Sequence, residues 1–477
     1  MAYQAVIGLE LHCELKSKSK VFSNAVNGYS DIANSNIRPL DLGLPGTLPT
    51  LNIRSMEEAI KLAICLKCQI PKEMKFDRKN YFYPDLPKGY QITQQTSPVG
   101  INGEIIVECN GEAFPIRIHD IHLEEDSASL DHISNISLID YNRSGVPLIE
   151  IVTEPCIYSW EQAVAFLEQL RYILKYTEIS DVDTKKGQLR CDVNISLRYE
   201  GDYNLGTKVE IKNVNSFSNV REAIIYEINR QTKLFDDNHQ SEIIQETRRF
   251  DEETGTTISM REKIEAIDYN YYLEPNIPFI EITDELKLKL KNEIPLLPNQ
   301  RKKLYRDEYD LSEEDINVLI KDKDISDFFQ ECIKLAINPQ AACNYITTTI
   351  LSFLNKYKIN INDIFLTPIM LKEIINKLNN KEISSKQAKE IINDVIELKK
   401  DPMTIFNESN ISQISNDDVL LNIIIKILDN NLQQIIDFKN GKNNLFDFFV
   451  GQVMKETKGQ ANPSLTKELI TSELEKR

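Results

Sequence analysis

One stretch of the sequence combines acidic and basic side chains in a pattern suited to binding metal ions and phosphate groups. Residues 187–216, GQLRCDVNISLRYEGDYNLGTKVEIKNVNS, read as two strands, residues 189–199 and 208–214, joined by a turn. Side chains two apart on a strand share a face, so the polar residues of each strand lie opposite the apolar ones. The polar face carries Arg190, Asp192, Asn194, Lys208, Glu210 and Lys212. Acids bind Mg²⁺ and cations bind phosphates, so this face predicts a nucleotide and metal site, with a solvated face of cross-strand ion pairs as the alternative.

Two further stretches offer metal ligands. Alternation in AVIGLELH places Glu10 and His12 on one face of a short strand, an arrangement that can bind an ion but that, taken alone, favours a structural role. The run HLEED contains three consecutive acids, Glu124, Glu125 and Asp126, which repel one another unless a cation lies among them. The run therefore indicates a metal, with a charged surface segment as the alternative.

A rigid loop within KNYFYPDLPKGYQITQ suits a phosphate or a base. Its prolines fix the backbone, and Gly89 lets the chain approach a ligand closely. The side chains that it offers are Lys88, Tyr81 and Tyr83. A structural turn with packed tyrosines explains the spacing equally well. Arg143, on a glycine-containing turn, is a further candidate anion ligand.

Short strands and amphipathic helices must position these side chains. Apolar residues recur at helical spacing in residues 54–68, 159–177 and 220–234, and the last two of these helices flank the two-stranded segment. Residues 269–297 are rich in prolines and acids and mark a boundary, beyond which the pattern is helical throughout. We therefore predict an α+β fold in which an antiparallel-sheet domain precedes all-α domains. The predicted domains are residues 1–294, 295–406 and 407–477.

Composition limits the partners of the chain. The net charge of −17 disfavours binding of polyanions over the whole surface, so any contact with nucleic acid must be local. Residues 440–477 hold six Lys or Arg against five Asp or Glu, a net charge of +1, and so repel a polyanion least. The eight cysteines are scattered and read as reduced core thiols. There is no secretory signal and no run of about eighteen apolar residues, so we expect a cytoplasmic protein.

Several familiar nucleotide and nucleophile motifs are missing from the sequence. Residues 201–208, GDYNLGTK, have the glycine spacing of a P-loop but lack its Gly-Lys-Ser/Thr ending. The sequence contains no dinucleotide fingerprint, no kinase signature set and no GxSxG nucleophile elbow. If the protein uses ATP, we therefore expect ATP to bind on an antiparallel sheet.

Several long motifs stand in an order and spacing typical of one protein family. They are VIGLELH, KNYFYPDLPKGYQITQ, HLEED, DYNRSGVPLIEIVTEP, GQLRCDVNISLR, GTKVEIKNVNSF and QETRRFD. In these motifs, which cover residues 5–275, the sequence resembles the GatB/GatE family, the B subunits of aspartyl/glutamyl-tRNA(Asn/Gln) amidotransferases. VGQVMKETKGQANP resembles the YqeY-like C-terminal domain of the same family. The resemblance implies a catalytic domain with the antiparallel fold of glutamine synthetase, a helical linker domain and a small helical tail.

The resemblance also implies an activity. Members of the family are subunits of a ligase that binds tRNA(Gln) or tRNA(Asn) mischarged with glutamate or aspartate. With ATP and Mg²⁺ it would phosphorylate the side-chain carboxylate, and ammonia would displace the phosphate to give the amide. No amidase nucleophile is visible in the sequence, so ammonia must come from elsewhere. The resemblance accordingly implies an amidase partner and a small third partner in a heterotrimer. We expect no membrane partner.

The residues singled out above receive roles on this interpretation. The metal ligands are Glu10, His12, Glu124, Glu125, Asp192 and Glu210. Nucleotide and phosphate contacts are assigned to Lys88, Arg190, Lys208, Tyr81 and Tyr83, and catalysis to Glu125, Asp192, Glu210 and Arg190. Many members of the family carry a CPxC motif before LGLPG, where this sequence has Arg38-Pro39-Leu40-Asp41, with Ser23 upstream. We therefore expect no structural zinc.

Two functions of other classes stay open from the sequence. A tRNA-binding scaffold would need no Mg²⁺ face, and loss of ATP hydrolysis on Asp192→Ala would exclude it. A free-standing carboxylate-amine ligase would act on free glutamate without a partner. The residues do not distinguish glutamyl-tRNA from aspartyl-tRNA as substrate. The loop at residues 42–51, LGLPGTLPTL, either docks the amidase or packs on its own domain.

Overall fold

The computed structural model describes residues 3–214, 216–262, 269–409, 417–439, 442, 445–457, 461 and 463–477. The chain divides into two compact units, Met1–Pro298 and Asn299–Arg477. The first unit contains the strands and the second is helical.

The described strands of the first unit form one large sheet and three small ones. In chain order they are β1 (Tyr3–Glu14), β2 (Glu73–Met74), β3 (Asp77–Asn80), β4 (Tyr90–Thr93), β5 (Gly100–Cys109), β6 (Glu112–Glu125), β7 (Ser129–Ile133), β8 (Ile136–Asp140), β9 (Pro147–Thr153), β10 (Leu189–Tyr199), β11 (Val209–Val214), β12 (Glu246–Asp251), β13 (Thr256–Glu262), β14 (Asn270–Leu273) and β15 (Ile280–Glu281). The large sheet has eight strands in the order β13-β12-β11-β10-β1-β9-β6-β5. The small sheets are β14-β3-β4, β15-β2 and β7-β8.

Strands β1 and β10 lie at the centre of the large sheet and pair along almost their whole length. Their alternate residues are buried, as the period of two in the sequence predicts. The predicted two-stranded segment is observed, with β11 beginning one residue later than expected. The structure differs from an all-antiparallel sheet at β11 and β12, which run parallel because a helical connection returns the chain to the same end of the sheet.

Helices cover the apolar face of the large sheet. The helices of this unit are α1 (Ile53–Cys65), α2 (Trp160–Tyr176), α3 (Phe217–Asp236) and α4 (Asp284–Glu293). The hydroxyls of Ser159 and Ser216 cap α2 and α3 by accepting hydrogen bonds from backbone N–H groups in the first turn. Apolar side chains of α1, α2 and α3 share one continuous core with the inward residues of β1, β6, β9 and β10. One face of the sheet is thus fully used by packing, and the polar face is left for chemistry.

The second unit is built from helices. They are α5 (Pro298–Asp307), α6 (Glu313–Ile320), α7 (Lys323–Lys334), α8 (Pro339–Tyr345), α9 (Leu351–Tyr357), α10 (Pro368–Asn379), α11 (Ser385–Leu398), α12 (Pro402–Ser409), α13 (Asp417–Asp429), α14 (Leu432–Lys439), α15 (Leu445–Glu456) and α16 (Pro463–Lys476). A π-helical turn, Ile346–Ile350, joins α8 to α9. One hydrophobic core spans Tyr305 to Phe406, and a separate one spans Leu420 to Leu474. The predicted domain boundaries at residues 294/295 and 406/407 stay predictions.

The predicted α+β fold with helical C-terminal regions is confirmed. The helices predicted at residues 159–177 and 220–234 correspond to α2 and α3. Within the described part of the chain, no helix combines the length and the hydrophobicity that crossing a bilayer requires.

Candidate functional site

The polar face of β1 and β10 brings the predicted chemical groups together. Alternate residues of both strands are buried in the core, so their polar neighbours share the opposite face. The antiparallel register places Glu10 beside Asp192 and His12 beside Arg190. Strand pairing therefore turns two distant stretches of sequence into one continuous charged surface.

A first cluster of possible metal ligands consists of His12, Glu124 and Glu150, from the neighbouring strands β1, β6 and β9. Nε2 of His12 lies 3.4 Å from Oε2 of Glu150 and 3.7 Å from Oε1 of Glu124. One ligand atom from each of the three residues lies within 4.8 Å of the others, a spacing compatible with one bound ion. His122 lies beyond Glu150, with 3.1 Å between Nε2 and Oε2, and its Nδ1 is 2.8 Å from Asp120.

Opposite charges stabilise this first cluster. Burial raises the pKa of Glu150, but His122 and His12 outweigh burial and hold that pKa well below its ordinary value. Burial and the charge of Glu150 together raise the pKa of Glu124. Burial lowers the pKa of His122, but Glu150 and Asp120 outweigh it and raise that pKa well above its ordinary value. The histidines thus supply positive charge to carboxylates that would otherwise repel each other.

A second cluster, Glu10, Asp192 and Glu210, lies on β1, β10 and β11, again with one ligand atom from each residue within 4.8 Å of the others. The Lys212 ammonium lies 2.6 Å from Oδ2 of Asp192 and 2.9 Å from Oε1 of Glu210. Burial lowers the pKa of Lys212, but these two carboxylates outweigh burial and raise it. Asn194 donates a hydrogen bond of 2.7 Å to Oε1 of Glu10. The three carboxylates are therefore oriented by a cation and an amide.

Thr247 fixes the remaining oxygen of Glu210. Its buried hydroxyl donates a hydrogen bond of 3.1 Å to Oε2 of Glu210. The parallel register of β11 and β12 places these two residues side by side. The parallel strand pair, which the sequence did not predict, thus positions a carboxylate of the second cluster.

A pocket of about 340 Å³ is lined by all three residues of the first cluster, by Asp192 of the second cluster, and by Lys79, Tyr81, Arg190 and Lys212. Nη2 of Arg190 donates to Asp126 at 2.8 Å, whereas its buried Nε has no hydrogen-bond partner among the described residues. Lys79 forms no ion pair with any residue that the structure describes. The pocket therefore combines carboxylates for a cation with ammonium and guanidinium groups for an anion.

The structure places Glu125 outside both clusters of possible metal ligands, and its assignment as a metal ligand and a catalytic residue stays a prediction. Glu124 and Asp126 line the pocket, but Glu125 lies between them on the other face because successive residues of a strand alternate. Its Oε2 lies 2.6 Å from Nζ of Lys88, and its Oε1 accepts a hydrogen bond of 2.8 Å from the N–H of Ile92. Both oxygens of Glu125 are thus engaged, one in a buried ion pair with Lys88 and the other in a hydrogen bond with the backbone, and Lys88 does not line the pocket.

Two other assigned residues also lie outside the pocket. Lys208 is exposed and precedes β11, because the strand begins one residue later than predicted. Tyr83 is half exposed and does not line the pocket, whereas Tyr81 does, and burial raises the pKa of Tyr81. Arg143 donates to backbone carbonyls and lies 3.5 Å from Oδ2 of Asp126, so it anchors the turn beside the pocket.

Sequence reasoning missed some residues that the pocket brings together. Glu150 was not assigned, although it is the one charged residue within the apolar strand PLIEIVT. Lys79, the first residue of the segment KNYFYPDLPKGYQITQ, and Lys212, on the polar face, also line the pocket, but the sequence predicted no phosphate-binding role for either. A lone charge within an otherwise apolar strand is the signal that could have identified Glu150.

The loop that precedes LGLPG does not fit a zinc ion. Where the resemblance implies the cysteines of a CPxC motif, this chain has Arg38 and Asp41, with Ser23 upstream, so the loop lacks the thiolates that a structural zinc would need. The Asp41 carboxylate accepts hydrogen bonds from Oγ of Ser23 at 2.9 Å and from the N–H of Arg38 at 2.7 Å. Nζ of the fully buried Lys20 lies 3.7 Å from the same carboxylate. Hydrogen bonds and a buried ion pair therefore hold this loop.

Comparison with known proteins gives consistent results along the chain. The family profile described as "GatB/GatE catalytic domain" matches residues 5–287, and the profile described as "GatB domain" matches residues 327–474. The chain is 46% identical over 478 residues to the B subunit of the aspartyl/glutamyl-tRNA(Asn/Gln) amidotransferase of Geobacillus thermodenitrificans, with both chains covered completely. The B subunits of the same enzyme from Oceanobacillus iheyensis and Caldicellulosiruptor bescii are 46% and 44% identical, again with both chains covered completely.

Proposed function

The chain belongs to the GatB/GatE family of amidotransferase subunits, and we propose that its pocket is where a tRNA-bound side-chain carboxylate is phosphorylated and then amidated. The observation that carries this proposal is that the first cluster, Asp192 of the second cluster and three cations line one pocket beside the polar face of the large sheet. Phosphoryl transfer needs this combination, because it depends mainly on positioning and on neutralisation of phosphate charge.

The donor sets fit divalent cations. Glu10, Asp192 and Glu210 offer only carboxylate oxygens, the ligands that Mg²⁺ prefers. The first cluster adds the imidazole of His12 to two carboxylates, a mixed set that also suits Mn²⁺. Bound at these clusters, Mg²⁺ would neutralise the phosphate oxygens of ATP. Five of the six metal ligands assigned from the sequence are retained in this proposal, and Glu150 replaces Glu125.

Three cations of the pocket are suited to hold the phosphates of ATP. Lys79 has no carboxylate partner among the described residues and is available for an anion. Nη2 of Arg190 is held by Asp126, whereas its Nε has no hydrogen-bond partner in the described part of the chain, so the guanidinium is oriented but not saturated. Lys212 lies between the second cluster and the pocket. These residues replace Lys88 and Lys208 as the proposed phosphate ligands.

Amide formation requires that the acceptor, the side-chain carboxylate of the tRNA-bound amino acid, first be activated. A carboxylate oxygen becomes a leaving group once it carries the γ-phosphoryl group of ATP, with ADP released. Ammonia then forms the carbon–nitrogen bond, and the carbon–oxygen bond to phosphate breaks. The pocket walls must keep water from the acyl phosphate, because water would hydrolyse it.

We propose that ammonia comes from an amidase partner and that a small third partner completes the assembly. The relatives are by name subunits of amidotransferases, so the chain is expected to act within a complex. Their name includes both Asn and Gln, and we propose both mischarged tRNAs as substrates. Aminoacyl-tRNAs are used in the cytoplasm, and we place the complex there.

The test uses the complex reconstituted with its amidase and small partners. The wild-type complex is expected to convert Glu-tRNA(Gln) to Gln-tRNA(Gln), and Asp-tRNA(Asn) to Asn-tRNA(Asn), with glutamine and ATP-Mg²⁺. Asp192→Asn should abolish both conversions and leave glutamine hydrolysis partly intact. Asp181→Asn is the matched control, because Asp181 is an exposed carboxylate whose ion-pair partner, among the residues that the structure describes, is Lys16. Unimpaired conversion by Asp192→Asn would contradict the proposal.

A further inference from the structure

An exposed aromatic side chain stands beside the pocket without packing against the protein. Phe82 is 100% exposed and Tyr83 is 50% exposed, whereas the preceding Tyr81 lines the pocket. Single exposed apolar side chains are common, but neighbouring ones mark binding surfaces. Because Tyr81 lines the pocket, the next residue, Phe82, lies beside it.

The surroundings of Phe82 are suited to a nucleotide. It lies in the connection between β3 and β4, which pair with β14 in a small three-stranded sheet. The ring of Tyr81 lies 5.5 Å from that of Tyr269, and Nζ of Lys79 lies 4.7 Å from the centre of the Tyr269 ring. Aromatic faces and an unpaired cation together are what single-stranded nucleic acid binds through its bases and phosphates.

We infer that Phe82 stacks on the terminal unpaired base of the aminoacyl-tRNA while the attached amino acid enters the pocket. This inference rests on the proposed function. The amino acid is joined to the ribose of the last nucleotide, so when its side-chain carboxylate reaches the clusters, the base lies several bonds behind it. An aromatic platform beside the pocket meets the base at that distance.

The local positive charge near Phe82 favours a tRNA base, rather than an apolar protein segment, as the group that stacks on its ring. The chain carries a net charge of −17, so attraction for tRNA must come from local cations. Lys79 supplies one, two residues from Tyr81 and three from Phe82. Tyr83, half exposed beside Phe82, adds a second aromatic surface for the nucleotide before the last.

The experiment compares Phe82→Ala with the wild type in the reconstituted complex. We expect the KM for Glu-tRNA(Gln) and the Kd for the tRNA, measured by fluorescence anisotropy, to rise about tenfold, the typical effect of losing one stacked base. The KM for ATP and the rate of glutamine hydrolysis should not change. The separate variant Phe82→Trp should keep the tRNA affinity of the wild type, because stacking requires only an aromatic face. Tyr203→Ala is the matched control, since Tyr203 is 97% exposed on the loop between β10 and β11.

Three outcomes would overturn the inference. An unchanged Kd for tRNA in Phe82→Ala would remove the stacking role. A raised KM for ATP with unchanged tRNA binding would assign Phe82 to the adenine of ATP. Loss of co-purification with the amidase would assign it to a protein interface. Failure of the wild-type complex to form any amide would contradict the proposed function instead, while the anisotropy comparison would still decide the role of Phe82.

Discussion

Replacing Glu150 by Gln tests the first metal cluster most directly, because this residue lies at its centre. Oε2 of Glu150 is 3.4 Å from His12 and 3.1 Å from His122. The substitution keeps the size of the side chain and removes one negative charge. We expect it to weaken binding of the divalent cation and to impair ATP-dependent activation of the acceptor carboxylate.

The magnitude follows from the spacing of the cluster. Two unit charges about 4 Å apart interact by about 4 kcal/mol when the effective dielectric constant is about 20. The doubled charge of a divalent ion increases this attraction, and loss of hydration on binding reduces it. A loss of about 4 kcal/mol corresponds to roughly a thousandfold weaker metal binding. The Mg²⁺ concentration for half-maximal activity should rise accordingly.

The assay measures amide formation against Mg²⁺ concentration, together with direct binding of Mn²⁺ by electron paramagnetic resonance. Glu154→Gln is the matched control, because Glu154 is partly exposed near the end of the same strand and contacts only His119 among the ion pairs of the described residues. Glu150→Gln should unfold at a lower temperature than Glu154→Gln, because it removes a buried partner of His12 and His122, and both variants are therefore assayed well below their unfolding temperatures. If Glu150→Gln keeps wild-type Mg²⁺ dependence and Mn²⁺ affinity, the assignment of the first cluster as a metal site is refuted.

Further predictions concern positioning, stability and tRNA binding. Thr247→Val should raise the Mg²⁺ concentration needed for half-maximal activity about tenfold, because it frees one oxygen of Glu210, whereas Thr247→Ser should not. Equal Mg²⁺ dependence of the two variants would argue against a role for the hydroxyl. Glu125→Gln leaves Lys88 buried without its partner and should destabilise the protein by about 3–5 kcal/mol in urea unfolding, and adding Lys88→Met should recover part of this. A chain lacking residues 417–477 should bind tRNA about tenfold more weakly without any change in the unfolding of the rest, because those residues have their own core; an unchanged KM for the mischarged tRNA would count against this.

Local periodicity accounts for the part of the site that the sequence predicted. Glu10 and His12 alternate with core residues on β1, and Arg190 and Asp192 do so on β10, so the shared face follows from each strand alone. The same rule explains why Glu125 lies apart from Glu124 and Asp126. The three acids of HLEED were interpreted as one group, although alternation sends the middle one to the opposite face.

Pairing between distant segments accounts for what the sequence did not reveal. Glu150 joins His12 only because β9 lies beside β1 with that register, and a strand's own pattern does not specify its neighbour. Thr247 reaches Glu210 only through the parallel pairing of β11 and β12. Lys79 enters the pocket from a separate small sheet. Tertiary contacts of this kind carry no local signal.

The alternation on β1 and β10 limits how related chains can differ in length. Each strand gives every second side chain to the core and the others to the pocket, so the same short segments specify both the interior and the chemistry. Inserting or deleting a single residue within either strand would send its apolar residues into the pocket and its charges into the core beyond that point. Changes in chain length should therefore be confined to connections such as the exposed turn between β10 and β11, and substitutions should be the main form of variation within the strands.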